Sequence, residues 1–285
     1  MHNMQNFIFI DETLDKNITH TYELSIQAGL NGLSFCILDI TRNKYITLAH
    51  QNFTRFSNIE DSVSEIEKII KKTDLLNRTY KTVKLIWISP KNTLIPTPLF
   101  TQENLKAYFE YNHQLDELDE MHFHKLTYID TSSVYTIPNA IANLFIKQFP
   151  SIKIFNQQVP FLNNIILKHH TEQTNVFVNV QDEFIDIALI EKGKLLFYNN
   201  FPFKNDSDIS YYILFIFDQF KLNKEINELI FSGFIEKNKD GYKNIQNFIK
   251  HIKFEKLPEE YTYSYTFNKI PAHSFSNLFN LHSCE

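Results

Sequence analysis

One order of elements, three strands, a helix, a strand, a helix and a strand, is written twice along these 285 residues. In the first half, alternating or apolar runs at Tyr22–Ala28, Leu33–Asp39 and Tyr45–Phe53 predict three strands, with Asn31-Gly32 and Arg42-Asn43 as turns. Val63, Ile66, Ile69 and Ile70 recur at helical spacing behind Asp61 or Ser62 as cap, and Lys71 and Lys72 favour the helix dipole. A buried strand at Val83–Ser89, a helix at Leu105–Tyr111 and a strand at Leu126–Ile129 follow, and then a helix from Pro138 that ends by Pro150. The second half repeats the order. Strands are predicted at Val176–Val180, Phe184–Glu191 and Lys194–Phe201, a helix from Asp206–Asp208, a strand at Leu229–Ser232, a helix through Tyr242 to Ile249, and a strand at Ile252–Phe254. Ile152–Phe155 and the helical stretch Phe161–His169 join the halves. A duplicated α/β chain of two lobes, 1–150 and 151–285, is expected, with an interlobe cleft of the kind ligands favour.

Glycine is scarce: 5 residues, Gly29, Gly32, Gly193, Gly233 and Gly241, where average usage would give about 20. Phosphate-cradling loops need clustered glycines, which tolerate positive φ and let the backbone approach the ligand, so P-loop and dinucleotide fingerprints are excluded. A net charge of −5 supplies no general field for nucleic acid. Cys36 and Cys284 are too far apart in sequence to suggest a disulfide framework or zinc cluster. Neither a secretory pattern at the start nor a membrane-length apolar run is present, and a cytoplasmic setting is expected.

The stretch Asn179-Val180-Gln181-Asp182-Glu183-Phe184-Ile185-Asp186, followed by the strand Ile187–Ile190, resembles the phosphate segment of the actin, Hsp70 and sugar-kinase superfamily. That segment runs Asp, hydrophobic, three glycines, two threonines and Asp. Asn179 stands in the place of the first Asp, Gln181, Asp182 and Glu183 in the glycine places, and Asp186 matches. Gln27-Ala28-Gly29-Leu30-Asn31-Gly32-Leu33-Ser34 resembles the first phosphate hairpin, with Gln27 replacing its Asp and Gly29 kept. Ile230-Phe231-Ser232-Gly233-Phe234 resembles the adenosine segment, with Phe234 in place of its second glycine.

More of the chain is similar to an uncharacterised bacterial family with an actin-like ATPase fold and no assigned activity. The residues are Asn92–Phe100, Tyr111-Asn112-His113, Tyr135–Pro138, Ala272–Phe275 and Leu278–Leu281. The resemblance implies a duplicated ribonuclease-H-like, actin-like ATPase fold: two lobes with mixed five-stranded sheets and flanking helices. The substitutions argue against its chemistry. Side chains at glycine places block the backbone, Asp182 and Glu183 repel phosphate, and an amide at 179 is a poor magnesium ligand.

Other candidates have plainer explanations. Asp116, Glu117, Asp119 and Glu120 beside His122 and His124 predict an acidic surface turn; the two histidines would share a strand face as metal ligands, but no third ligand is fixed. His169-His170 closes a helix. The basic stretch 68–84 could meet RNA or membrane, and predicts a solvated helix end instead. Ala272, Phe275, Leu278 and Phe279 predict a helix docked on its own domain. The expected protein is therefore a non-catalytic interaction or scaffold protein with a protein partner, no catalytic residues and no cofactor, magnesium and ATP being disfavoured. The alternative is a switch or weak ATPase that binds a nucleotide or small ligand in the cleft, at Gln27, Gly29, Asn31, Asn179, Gln181, Asp182, Asp186, Ser232 and Gly233.

Overall fold

The computed structural model describes residues 5–53, 58–169, 172–237 and 240–284. Two sheets share one topology. In the first, β2 (Glu23–Ala28), β3 (Gly32–Asp39) and β4 (Lys44–Asn52) form an antiparallel meander. On the other side of β2 lie β5 (Thr82–Trp87) and then β9 (Lys153–Asn156), both parallel. In the second, β10 (Asn175–Val180), β11 (Phe184–Glu191) and β12 (Lys194–Pro202) form the meander, and β13 (Leu229–Gly233) and β14 (Ile252–Phe254) continue it in parallel beyond β10. The second sheet has the five strands expected. The first has seven, because β1 (Phe7–Ile10) and β15 (Thr262–Tyr263) add to the edge of β4.

Several sequence expectations change. Ile152–Phe155, placed in the joint, falls largely within β9 of the first sheet, whose pairing with β5 buries Phe155. Leu126–Ile129 is not a strand but the turn between β7 (Asp119–Lys125) and β8 (Thr131–Pro138); its apolar residues anchor the turn in the core between the sheets. The acidic segment is a turn only up to Leu118, since from Asp119 it pairs with β8. With β6 (Asn92–Pro96), these strands make a small antiparallel sheet, and α2 (Leu105–Glu110) packs beside it.

Helix α1 (Ile59–Lys72) starts earlier than predicted, because Asn58 and not Asp61 or Ser62 caps it, accepting from the Asp61 amide at 2.8 Å. With α3 (Asn139–Gln148) it covers the outer face of the first sheet. The outer face of the second is covered by α5 (Asp206–Gln219), which starts in an Asn205–Asp208 capping box, and by α6 (Asp240–Gln246). Between the sheets lie α4 (Gln158–Lys168), buried along nearly its whole length, and α7 (Ser276–Asn280). A helix buried all round is what a middle layer requires.

Candidate functional site

The hairpins β2–β3 and β10–β11 meet across the cleft with matching closures. Gly29 N–H donates to the Gly32 carbonyl at 3.0 Å, and Gln181 N–H to the Phe184 carbonyl at 2.9 Å. The first loop is wider than the predicted Asn31-Gly32 tight turn: Gly32 opens β3, and neither residue has positive φ. A Cβ on Gly32 would lie 3.0 Å from the Gln51 carbonyl, so a close approach accounts for this glycine. Between the loops is a cavity of about 180 Å³. Gln27, Gly29, Asn31, Gln181 and Asp182 line it; Asn179, Asp186, Ser232 and Gly233 do not.

Those four lie beneath it. The Asn179 amide nitrogen donates to Ser232 Oγ at 2.8 Å. Its Oδ1 accepts from the Gln181 amide, and also from the Asn277 amide of α7 at 3.2 Å. Both ends of Asn179 are thus used inside the protein. Gly233, at φ +78°, carries the chain past Val180, whose carbonyl oxygen a Cβ there would meet at 2.2 Å. Phe234 follows and packs with His50, 5.9 Å between ring centroids, and with Phe275 of the C-terminal segment, also 5.9 Å. Aromatic side chains from both lobes and the C-terminus therefore fill the place next to the adenosine-like segment.

Asp186 is fully buried on the inner face of β11, where Tyr198 donates to its Oδ1 at 2.6 Å. Burial lifts its pKa to about 7, while Tyr198 and the Gln157 amide pull it back. Oδ2 has no well-formed hydrogen bond among the described residues, since the Gln157 amide donates instead to the Ser89 carbonyl at 3.0 Å. Tyr198 also approaches Asn92 Oδ1 at 3.3 Å, and Asn200 donates to the Pro90 carbonyl at 2.8 Å. Polar groups of the second sheet are thereby tied to the segment that follows β5.

The sequence did not single out Asn277, Tyr198, Gln157 or His50. An asparagine set between the apolar Phe275 and Leu278 was the local sign for the first. The others depend on cross-strand and interlobe pairings, such as Ser34 Oγ to His50 Nδ1 at 2.8 Å.

The C-terminal segment is docked on both lobes and not on one. Its α7 packs against β2 and β3 on one side and α4 and β13 on the other. Tyr45 donates to the Phe279 carbonyl at 2.5 Å, and buried Lys84 to the His282 carbonyl at 2.6 Å.

His122 and His124 share a face of β7, but each meets an aromatic ring: His122 stacks on Tyr135 at 5.8 Å, and His124 meets Phe155 edge-on at 4.8 Å. Among the described residues, no three His, Cys, Asp or Glu side chains converge on a metal site. Within 68–84, Lys68, Lys71 and Arg78 pair with Glu65, Glu67 and Asp74, and Lys84 points inward toward Glu23. His169 lies 3.6 Å from Glu255; His170 is outside the described residues. No described helix is long and apolar enough to cross a membrane.

Two sheets of one topology, facing hairpins and a shared middle layer define an actin-like ATPase fold. The chain belongs to the DUF3822 family, proteins of unknown function, which it matches over residues 11–252. It is similar to a Bacteroides thetaiotaomicron protein with actin-like ATPase fold and unknown function: TM-score 0.81, 22% identity, covering 96% of this chain and 100% of that one. It is also similar to a chain of the PilM-PilN type IV pilus biogenesis complex: TM-score 0.56, 11% identity, 92% and 98% covered. A third likeness is to the ethanolamine utilization protein EutJ from Carboxydothermus hydrogenoformans: TM-score 0.52, 10% identity, 95% and 90% covered. No curated protein matches the chain.

Proposed function

We propose that this protein is a non-catalytic interaction or scaffold protein, an actin-like frame without a phosphate grip. The carrying observation is Asn179: an amide replaces the magnesium-positioning carboxylate, and Ser232, Gln181 and Asn277 occupy both its ends. The remaining residues do not fit magnesium nucleotide either. No lysine or arginine among the described residues lines the cavity, Asp182 and Glu183 do, and about 180 Å³ is small against the roughly 300–1,000 Å³ of ordinary ligand pockets. No hydrolytic step is assigned. The likeness to a chain of a pilus biogenesis complex supports a role through protein contacts.

Calorimetry with ATP and ADP, with and without magnesium, together with a phosphate-release assay, tests this. Neither binding nor turnover is expected. Magnesium-dependent ATP turnover that is abolished by changing Asn179 or Gln27 would overturn the proposal. A second reading, a small-ligand site in the hairpin cavity, has its own observation in Asn31 Oδ1, which is buried there with no donor among the described residues.

A further inference from the structure

The outer face of the second lobe is unfinished on one side. β12 ends its sheet: β11 pairs with one side of it, and among the described residues no strand pairs with the other. Such edges are normally guarded by charge or proline. Over its nine residues β12 carries these only at its ends, Lys194 and Pro202. The Asn200 N–H takes the side-chain oxygen of Asn199, at 2.9 Å, in place of a neighbouring strand. The helix above this edge is open on the same side. α5 lies over β11 and β12, where Tyr212 stacks on Phe201 at 4.8 Å and Phe220 meets Phe197 at 5.3 Å. α6 covers one flank of α5, with Ser210 donating to the Gly241 carbonyl at 3.0 Å. The other flank, above the edge, carries Tyr211 and Phe215 one turn apart, 63% and 46% exposed.

What completes this side must supply a strand and, one layer above it, an apolar helix flank. An added peptide strand covers the edge alone and leaves the helix flank in water. A second copy of this chain, turned about a two-fold axis, supplies both. The two ring contacts set Asn199, midway between Phe197 and Phe201, level with Ile216, midway between Tyr212 and Phe220. An axis at Asn199 therefore pairs β12 antiparallel with its mate and sets the Phe215 rings of the two copies against each other. Strands lie about 4.8 Å apart, so helices seated over β11 and β12 on either side of the axis are about 10 Å apart, the spacing of packed helices. The two α5 helices run antiparallel. Each then brings its acidic first turn, Asp206 and Asp208, to Lys221 and Lys224 beyond the end of the other. The edge is about 30 Å long and the helix layer adds about 10 Å of height, so each copy contributes roughly 500 Å². The pair buries about 1,000 Å², where specific interfaces begin.

We propose that β12 and the Tyr211–Phe215 flank of α5 form a two-fold interface between two copies of this chain, which joins their second sheets edge to edge. This goes beyond the scaffold reading and does not depend on it. The test is sedimentation of the full chain over a range of concentrations. A dimer with a Kd of about 10 μM is expected. Phe215→Glu puts two carboxylates at the axis and should raise that Kd at least about tenfold, with circular dichroism and melting unchanged. Tyr211→Glu, at a more exposed position, should weaken the dimer in the same direction. Cys36 and Cys284 are buried, so Phe215→Cys adds the one exposed thiol. Mild oxidation should link two copies through it, and Phe248→Cys, 54% exposed past the end of α6, should give no linked pair.

A wild type that stays monomeric at about 100 μM would overturn the inference. So would a dimer that Phe215→Glu and Tyr211→Glu both leave intact, or equal cross-linking through positions 215 and 248. Open polymers in place of a dimer would also overturn it, because a two-fold contact closes on itself. ATP binding in the separate nucleotide experiment would sink the scaffold proposal and leave the sedimentation result to stand by itself.

Discussion

Asp186 offers a direct measurement of what a buried carboxyl costs between two lobes. It is fully buried, its pKa is raised from the ordinary 3.8 to about 7, and burial is the largest cause. Below about pH 3.8 the carboxyl is protonated in both folded and unfolded chains, and nothing is lost. As the pH rises, the unfolded chain ionises while the folded one keeps its proton, so stability falls, and the loss is complete above about pH 7. Each tenfold difference in proton affinity is about 1.4 kcal/mol, so the change from 3.8 to about 7 corresponds to about 4 kcal/mol. Asp186→Asn keeps the shape and the Oδ1 acceptor for Tyr198 and removes the charge. The variant should match the wild type near pH 4 and exceed it by up to about 4 kcal/mol at pH 8. Urea denaturation followed by fluorescence of Trp87, the single tryptophan, and by circular dichroism gives both curves. Titrating groups elsewhere cancel in the difference. A variant less stable than wild type at pH 8, or a difference that is flat from pH 4.5 to 8, would refute the reasoning.

Phe279→Ala should cost about 3–5 kcal/mol in denaturation, because the ring is buried against Tyr45 at 4.8 Å and Tyr263 at 5.3 Å. Gly233→Ala should lower the melting temperature markedly or prevent soluble expression, since its φ of +78° and the Val180 carbonyl both oppose a Cβ. Lys84→Met should expose the C-terminal segment to limited proteolysis well before the lobes are cut: it removes the donor to the His282 carbonyl and leaves Glu23 buried 3.6 Å from a lost cation.

Much of the fold was legible because its signals are local. Alternating runs located both meanders, and Lys192-Gly193 between two of those runs makes the tight turn, with positive φ at both residues. Leu126–Ile129 was misread because apolar residues that anchor a turn look the same in sequence as a short strand. The same limit governs the site. Gln27, Gly29, Asn31, Gln181 and Asp182 were placed together by reading two hairpins in one register, a local pattern. Asp186 belonged to that pattern and yet faces the interior, because β11 pairs it opposite Asn179 beneath the loops. Asn277 lies 98 residues from its partner Asn179, and no local period could join them.

The loss of glycine and the position of the C-terminus are connected physically. Gln181, Asp182 and Glu183 stand at the places where the resembling segment carries glycine, and Asn179 just before them is held from the C-terminal segment by Asn277. That segment also bridges the lobes: β15 pairs with β4, and α7 reaches both. Its Phe275, Leu278 and Phe279 form a continuous core with Cys36, Leu38 and Tyr45 of the first sheet. A bridge made of the chain itself is part of the folded structure, so the packing of this segment holds the two sheets to each other.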